Sequence, residues 1–144
     1  MKLEIELVPK TAWFTNLRSD LTKAQWDVVR KKCYREAGYK CEICGGVGTK
    51  HPVECHEKWD FEDGKITLLG LIALCPSCHE CKHIGLAGIR GRGEIALRHF
   101  MKVNGIGRAE AEAYVKAAFK LYHERSQRDS WELDTKYLSE YLKS

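Results

Sequence analysis

The chain has 144 residues, of which 44% are hydrophobic and 31% are charged, and its formal net charge is +4. This composition is that of an ordinary globular domain and excludes collagen-like and low-complexity chains. Residues 1–6 alternate charged and apolar side chains, unlike a signal peptide, and the longest apolar stretch, 66–75, is too short to span a membrane. We therefore expect a cytoplasmic protein with no membrane partner, whose clustered cysteines bind metal rather than form disulfides.

The N-terminal segment, 1–37, is predicted to be an extended arm followed by a helix. Pro9 and the pair Trp13-Phe14 are expected to hold the arm, residues 1–20, on the rest of the domain. Thr22 with Gln25 three residues later forms a capping box, which predicts a helix start. An apolar residue recurs at helical spacing from Trp26 to Ala37, and Gly38 ends the helix. Cys33 lies on this apolar face, so we interpret it as a core residue rather than a metal ligand.

A hairpin and a second helix follow in the segment 38–88. Residues 53–61 and 66–74 are predicted strands, and Asp63-Gly64 between them is typical of a type I′ turn. Pro76 suits the first turn of a helix, so a helix is predicted to begin there. Four glycines then indicate a flexible, basic connector over residues 84–93.

The last segment, 89–144, is predicted to be a helical extension packed on the same domain. Helices are expected over about 94–102, around the apolar face 111–122, and over about 137–142. Gly105-Ile106-Gly107 is similar to the hairpin of helix–hairpin–helix modules, whose amides bind phosphate. A simple turn between two helices is the interpretation that we favour for it.

Metal ligands are concentrated between residues 41 and 83, where six of the seven cysteines and four of the six histidines occur. Two Cys-x-x-Cys pairs flank the predicted hairpin, which brings its ends together, so the pairs can meet in one closed tetrahedral zinc site. The four predicted ligands of this structural Zn²⁺ are Cys41, Cys44, Cys75 and Cys78. Cys81 can compete through Cys78-x-x-Cys81, but we assign it to packing.

A second ion site is predicted from His79 and His83, which are four residues apart and share one helical face. Cys55 or His56 can complete a three-ligand site that keeps one position open. The alternative is that His79 only donates a structural hydrogen bond and that His83 is solvated at the end of the helix.

These motifs resemble the HNH endonuclease family. The resemblance covers about residues 38–88 and rests on Cys41-x-x-Cys44, on the segment 53–57 (VECHE) and on the segment 73–83 (ALCPSCHECKH). It implies an α+β fold with a ββα-metal hairpin–helix core. It also implies metal-dependent hydrolysis of DNA phosphodiester bonds, with His56 as the general base. By the same resemblance Cys55, His79 and His83 bind the catalytic ion, which is Zn²⁺, Mn²⁺, Ni²⁺ or Mg²⁺.

Basic residues near these motifs are candidates for contact with DNA. Residues 82–108 contain six positive side chains against one negative, a local charge of +5. Such a stretch is either a solvated surface or a surface for phosphate groups. The predicted nucleic-acid contacts are Lys58, Lys82, Arg90 and Arg92. Double-strand cutting by one small site would favour a homodimer.

The chain departs from the family pattern at two positions. Cys55 stands where the family usually has histidine or aspartate, and a thiolate there favours Zn²⁺ over Mg²⁺. Gly70 stands near the place of the asparagine that orients the base histidine, so a backbone carbonyl, Asp60 or Thr67 would have to replace it.

Strand geometry adds a further condition, and the missing asparagine leaves a second function open. Neighbouring strand residues point to opposite faces, so Cys55 and His56 converge only at a bulge or a strand end. In a regular strand His56 instead shares its face with Glu54, and the roles of metal ligand and general base can be exchanged. Gly70 also motivates an alternative function, a catalytically silent zinc module that binds nucleic acid or protein.

Overall fold

A computed structural model describes residues 1–12 and 21–143, and over these residues the chain is a mixed α+β protein. The predicted contact of Trp13 and Phe14 lies outside the described residues. A single 3-10 turn, Lys10–Ala12, ends the described part of the arm. The strands are β1 (Glu54–Glu62), β2 (Lys65–Leu74) and β3 (Glu132–Asp134), and the helices are α1 (Lys23–Glu36), α2 (Pro76–Lys82), α3 (Ile84–Ile89), α4 (Gly93–Asn104), α5 (Arg108–Arg125) and α6 (Lys136–Lys143).

Helix α1 begins with the predicted capping box. The Thr22 hydroxyl accepts from the Gln25 amide at 3.1 Å, and the Gln25 side chain accepts from the Thr22 amide at 2.9 Å. These bonds satisfy two donors that a helix start leaves without a partner. Cys33 is buried on the inner face of the helix, which confirms that it is a core residue.

The hairpin of β1 and β2 is antiparallel, and its register decides which side chains share a face. Asp63 and Gly64 have φ values of 47° and 77°, as the predicted type I′ turn requires. Glu54 pairs with Leu74, His56 with Ile72 and Lys58 with Gly70. The register shifts between Lys58 and Trp59, so the regular ladder at the histidine end stops there.

The segment after α2 differs from its prediction as a flexible connector. Residues 84–89 form the short helix α3 because Ile84 and Ala87, three residues apart, are buried in the core next to α4. Tertiary packing therefore overrides the weak helix preference of the glycines. The α4 and α5 predictions are confirmed, and Gly105 between them adopts φ 63°, the left-handed conformation that ends many helices.

Strand β3 was not predicted. It pairs in parallel with the start of β2, from Lys65↔Glu132 to Thr67↔Asp134, and makes a three-stranded sheet in the order β1-β2-β3. Three residues with one apolar side chain give no readable alternation, so this element depends on the edge that β2 offers.

Two hydrophobic clusters cover the two faces of the hairpin. One joins the N-terminal arm with α2 to α5, and the other joins α1 and α6 with Cys55, Leu68 and Ala73. The Asn104 side chain fixes the arm by accepting from the Leu3 amide and donating to the Leu3 carbonyl, both at 2.9 Å. The first and last segments thus share cores with the hairpin.

No helix formed by residues 1–12 or 21–143 combines the length and the apolar character that a membrane crossing would need.

Candidate metal centres

The four predicted cysteines meet in one cluster between the two ends of the hairpin. The Sγ atoms of Cys41, Cys44, Cys75 and Cys78 all lie within 4.8 Å of one another. Cys44 Sγ lies 3.6 Å from Cys75 Sγ. In a tetrahedral site with Zn–S bonds of about 2.3 Å, sulfurs are about 3.8 Å apart, so this spacing is suitable for zinc.

Backbone amides point at these sulfurs, as thiolate ligands require. The Cys78 amide donates to Cys75 Sγ at 3.4 Å and the Gly46 amide donates to Cys44 Sγ at 3.3 Å. Burial opposes ionisation, yet amide hydrogen bonds lower the pKa of Cys41 to about 7. Burial and the neighbouring thiolates raise the pKa of Cys78. Four thiolates at this spacing need a cation, and the donor set fits zinc.

Helix α4 contacts two of the cysteines on α2, Cys81 and Cys78. The Cys81 thiol is buried and donates to the Ala96 carbonyl at 3.2 Å, so it packs against α4, as predicted. On the same helix His99 places Nε2 3.2 Å from Cys78 Sγ. This contact was not predicted, because nothing local in the sequence relates residues 78 and 99.

Three histidines form a second cluster, on the face of the hairpin turned toward α2. Ring nitrogens of His56, His79 and His83 lie within 4.8 Å of one another. His79 Nε2 lies 3.2 Å from His83 Nε2, and the His56 ring centroid lies 5.1 Å and 5.4 Å from theirs. His79 projects from α2 while Cys78, one residue earlier, is in the cysteine cluster, because helix neighbours point about 100° apart.

Glu54 lies behind His79, beside its Nδ1 atom. The Glu54 carboxylate accepts from His79 Nδ1, and its other oxygen accepts from His51 Nε2 at 2.7 Å. Burial raises the pKa of Glu54, but the bonds from His79 and His51 hold it below its ordinary value. In the neutral tautomer that donates Nδ1–H to Glu54, the Nε2 lone pair of His79 faces His83 Nε2, 3.2 Å away.

The three rings are suited to bind an ion because burial keeps two of them neutral. Burial, followed by the neighbouring charges of His79 and His83, lowers the pKa of His56 to about 2. His83 lies at the exposed edge of the cluster, yet desolvation of its ring and then the charge of His79 lower its pKa to about 4. Neutral imidazole is the form that binds metal, so near neutral pH His56 and His83 offer lone pairs rather than positive charge.

The structure does not bring Cys55 to these histidines, which corrects its predicted place in the ion site. Cys55 is buried in the hydrophobic cluster on the opposite face, beside α1 and α6. The strand is regular here, because the register shift comes only after Lys58. Strand alternation therefore places Glu54 and His56 on one face and Cys55 on the other.

Gly70 pairs with Lys58, two residues along the strand from His56, and neither of the two side chains suggested in place of the family asparagine lies close by. Asp60 and Thr67 pair with each other beyond the register shift. At about 3.3 Å per residue, four strand residues place Asp60 about 13 Å from His56 along β1. A Cβ at Gly70 would meet the flexible Lys58 side chain at 3.1 Å.

The four predicted nucleic-acid contacts differ in their surroundings. Lys58 is exposed on β1, on the strand face that carries His56. Lys82 is half-buried, its pKa is lowered by burial, and its charge acts on His56 and His83. Arg90 is exposed after α3. Arg92 is held by Glu80, with Nε 2.5 Å from the carboxylate, so it is engaged in an ion pair within the domain.

Comparisons of the chain with protein-family models, with curated proteins and with solved structures found no match.

Proposed function

We propose that the chain is a metal-dependent endonuclease of the HNH type, with a ββα-metal hairpin–helix core, that hydrolyses phosphodiester bonds of DNA. One observation carries the proposal: three imidazoles from a hairpin strand and the following helix converge within 4.8 Å, beside a separate four-cysteine cluster. A purely structural zinc module has no need of the second group. A site with three histidine ligands and an open position is typical of catalytic zinc.

The residues that would hold the catalytic ion are His56, His79 and His83. A divalent ion there would polarise a phosphate oxygen and lower the pKa of a water molecule, which makes an attacking hydroxide accessible near neutral pH. Three imidazole nitrogen donors favour Zn²⁺, Ni²⁺, Co²⁺ or Mn²⁺ over Mg²⁺, which prefers oxygen ligands. This preference no longer depends on Cys55.

We assign His56 to the ion as its third ligand rather than as the general base of the family pattern. A base works best when its pKa lies near the working pH. A pKa held near 2 by burial makes His56 a weak base. The three ring centroids form a triangle with sides of 4.8, 5.1 and 5.4 Å, which suits His56 as a ligand, and a ligand role requires no orienting asparagine.

Lys58 and Lys82 are the basic side chains best placed to bind the substrate phosphate. Lys58 shares the strand face of His56, and the Lys82 charge acts on two of the three histidines. Each phosphate contact contributes to the salt dependence of DNA binding, and its loss reduces that slope by about one. Arg92, paired with Glu80, should contribute less.

The test combines metal content with cleavage of supercoiled plasmid. Wild-type protein should bind two ions and cut plasmid in the presence of Mn²⁺, Ni²⁺ or Zn²⁺, and His79→Ala should bind one ion and fail to cut. His123→Ala, at an exposed position of α5, is the matched control and should behave as wild type. A wild-type protein that binds two ions and cuts neither DNA nor RNA would overturn the proposal.

His56→Ala separates the two roles of that residue. Loss of the second ion together with cleavage supports the ligand assignment. Retention of the ion at wild-type affinity with loss of cleavage would instead assign His56 as the base.

The second candidate function is a catalytically silent zinc module that binds nucleic acid or protein. The observation that favours it is Gly70, which leaves no side chain at the place of the family asparagine. One zinc per chain and DNA binding without cleavage would be its signature.

A further inference from the structure

We propose that Glu54 is a positioning residue of the histidine site, and that with His51 it holds His79 in the form that binds the ion. The inference deepens the proposed function and rests on the metal role of the three histidines. Neither Glu54 nor His51 is one of the three residues that would bind the ion, which are His56, His79 and His83.

The geometry places Glu54 behind the ion site rather than in it. The two nitrogens of an imidazole ring point away from each other, so a carboxylate that accepts from Nδ1 lies on the far side of the ring from Nε2. Glu54 accepts from His79 Nδ1, while His79 Nε2 lies 3.2 Å from His83 Nε2. Glu54 therefore acts on the ion through His79, as carboxylates behind metal-binding histidines do.

His51 fixes the orientation of that carboxylate. Its Nε2 donates to the second Glu54 oxygen at 2.7 Å, so both oxygens have partners. His51 is 51% exposed and Glu54 is 31% exposed. The outer bond should therefore contribute less than the inner one, because solvent weakens the attraction within exposed charged pairs.

Strand alternation explains why one short segment supplies both parts. Glu54 and His56 are two residues apart on β1, so both point toward α2. The strand thus contributes one ion ligand and the group that orients a second ligand on the helix. The pattern Glu-x-His on the strand, together with His-x-x-x-His at the helix, contains the three proposed ion ligands and Glu54.

The first experiment measures Co²⁺ and Zn²⁺ binding by calorimetry to full-length protein whose cysteine site already holds zinc. Glu54→Gln should weaken binding of the second ion by about 10-fold to 100-fold, and His51→Ala by about twofold to fivefold. Glu62→Gln, the same charge change at an exposed position of β1, should leave the affinity unchanged. Equal affinities for wild type and Glu54→Gln would overturn this inference while leaving the proposed function standing. A wild-type protein that binds no second ion would overturn both.

The second experiment reads the His79 tautomer by nitrogen-15 NMR, with the histidine site free of ion. Wild-type protein should carry the His79 proton on Nδ1, and Glu54→Ala should shift it to Nε2, the commoner form. A merely structural role of Glu54 would not move this signal. An Nε2 proton in wild-type protein would overturn the inference whatever the catalytic result.

Discussion

The two candidate metal centres meet at α2, which contributes Cys78 to one and His79 to the other. They differ in ligand type, in burial and in the number of ligands. The cysteine cluster offers four soft ligands, three of them buried, and backbone amides that point at the sulfurs. The histidine cluster offers three imidazole rings, partly exposed, with a carboxylate behind one of them. A closed set of four ligands stabilises a fold, whereas an open set of three leaves room for a substrate.

The comparison also shows how one helix serves two sites. Cys78 and His79 are adjacent in the chain, and the helical rotation of about 100° sends them to different clusters. An ion bound by the four cysteines would thereby fix α2, which carries His79 and is followed directly by His83. Damage to the cysteine site should therefore disable both centres, whereas damage to the histidine site should leave the fold intact.

The largest expected effect tests this asymmetry directly. Cys78→Ser should cost about 4–5 kcal/mol of unfolding free energy or more, because it removes a buried zinc ligand and the ion that joins the hairpin ends. His83→Ala, at the exposed edge of the second site, should keep a melting temperature near wild type while it loses one bound ion. Thermal unfolding and metal analysis of both variants provide the measurement. Similar destabilisation by the two would break the distinction.

A smaller effect is expected at Gly48, which lies between the pair Cys41-x-x-Cys44 and His51. A Cβ there would lie 2.2 Å from the His51 carbonyl oxygen and 2.7 Å from the Pro76 ring, so backbone must move. Gly48→Ala should lower the unfolding free energy by about 1–3 kcal/mol. Gly88→Ala, in α3 with open space around the added carbon, should instead stabilise by about 0.4–1 kcal/mol. Urea denaturation measures both unfolding free energies, and equal values for the two variants would contradict this explanation.

The contact from His99 to Cys78 predicts a change in zinc retention. His99→Phe keeps a ring on α4 but removes the nitrogen that lies 3.2 Å from Cys78 Sγ. We expect zinc affinity at the cysteine site to fall about tenfold, as for other groups behind metal ligands. Competition with a chromogenic chelator measures it, and His123→Phe is the control. An unchanged affinity would show that the contact is only packing.

A pH dependence that belongs to the histidine cluster is also expected. Without an ion at that site, the folded protein holds the pKa of His56 near 2 and that of His83 near 4, while the unfolded chain protonates both near 6.5. The unfolded state thus binds more protons below about pH 6.5, so stability should fall as the pH drops toward 4. His56→Gln should flatten this fall in urea titrations between pH 6.5 and 5. A parallel fall in both proteins would assign the effect to other groups.

Predictions that depended on local spacing agree with the structure. The capping box at Thr22, the turn at Asp63-Gly64 and the shared face of His79 and His83 follow from helix and turn geometry within a few residues. The meeting of the two Cys-x-x-Cys pairs is a long-range contact. It could still be predicted, because the two ends of an antiparallel hairpin lie side by side.

The errors and omissions concern contacts that only the packing decides. The sequence left open whether Cys55 or His56 faces the helix, because either face of the strand can be the buried one until α1 and α6 cover it. The ordering of α3, the pairing of β3, and the approach of His99 to Cys78 join residues with no local signal. Spacing along the chain therefore determined which ligands exist, and the packed helices determined which of them meet.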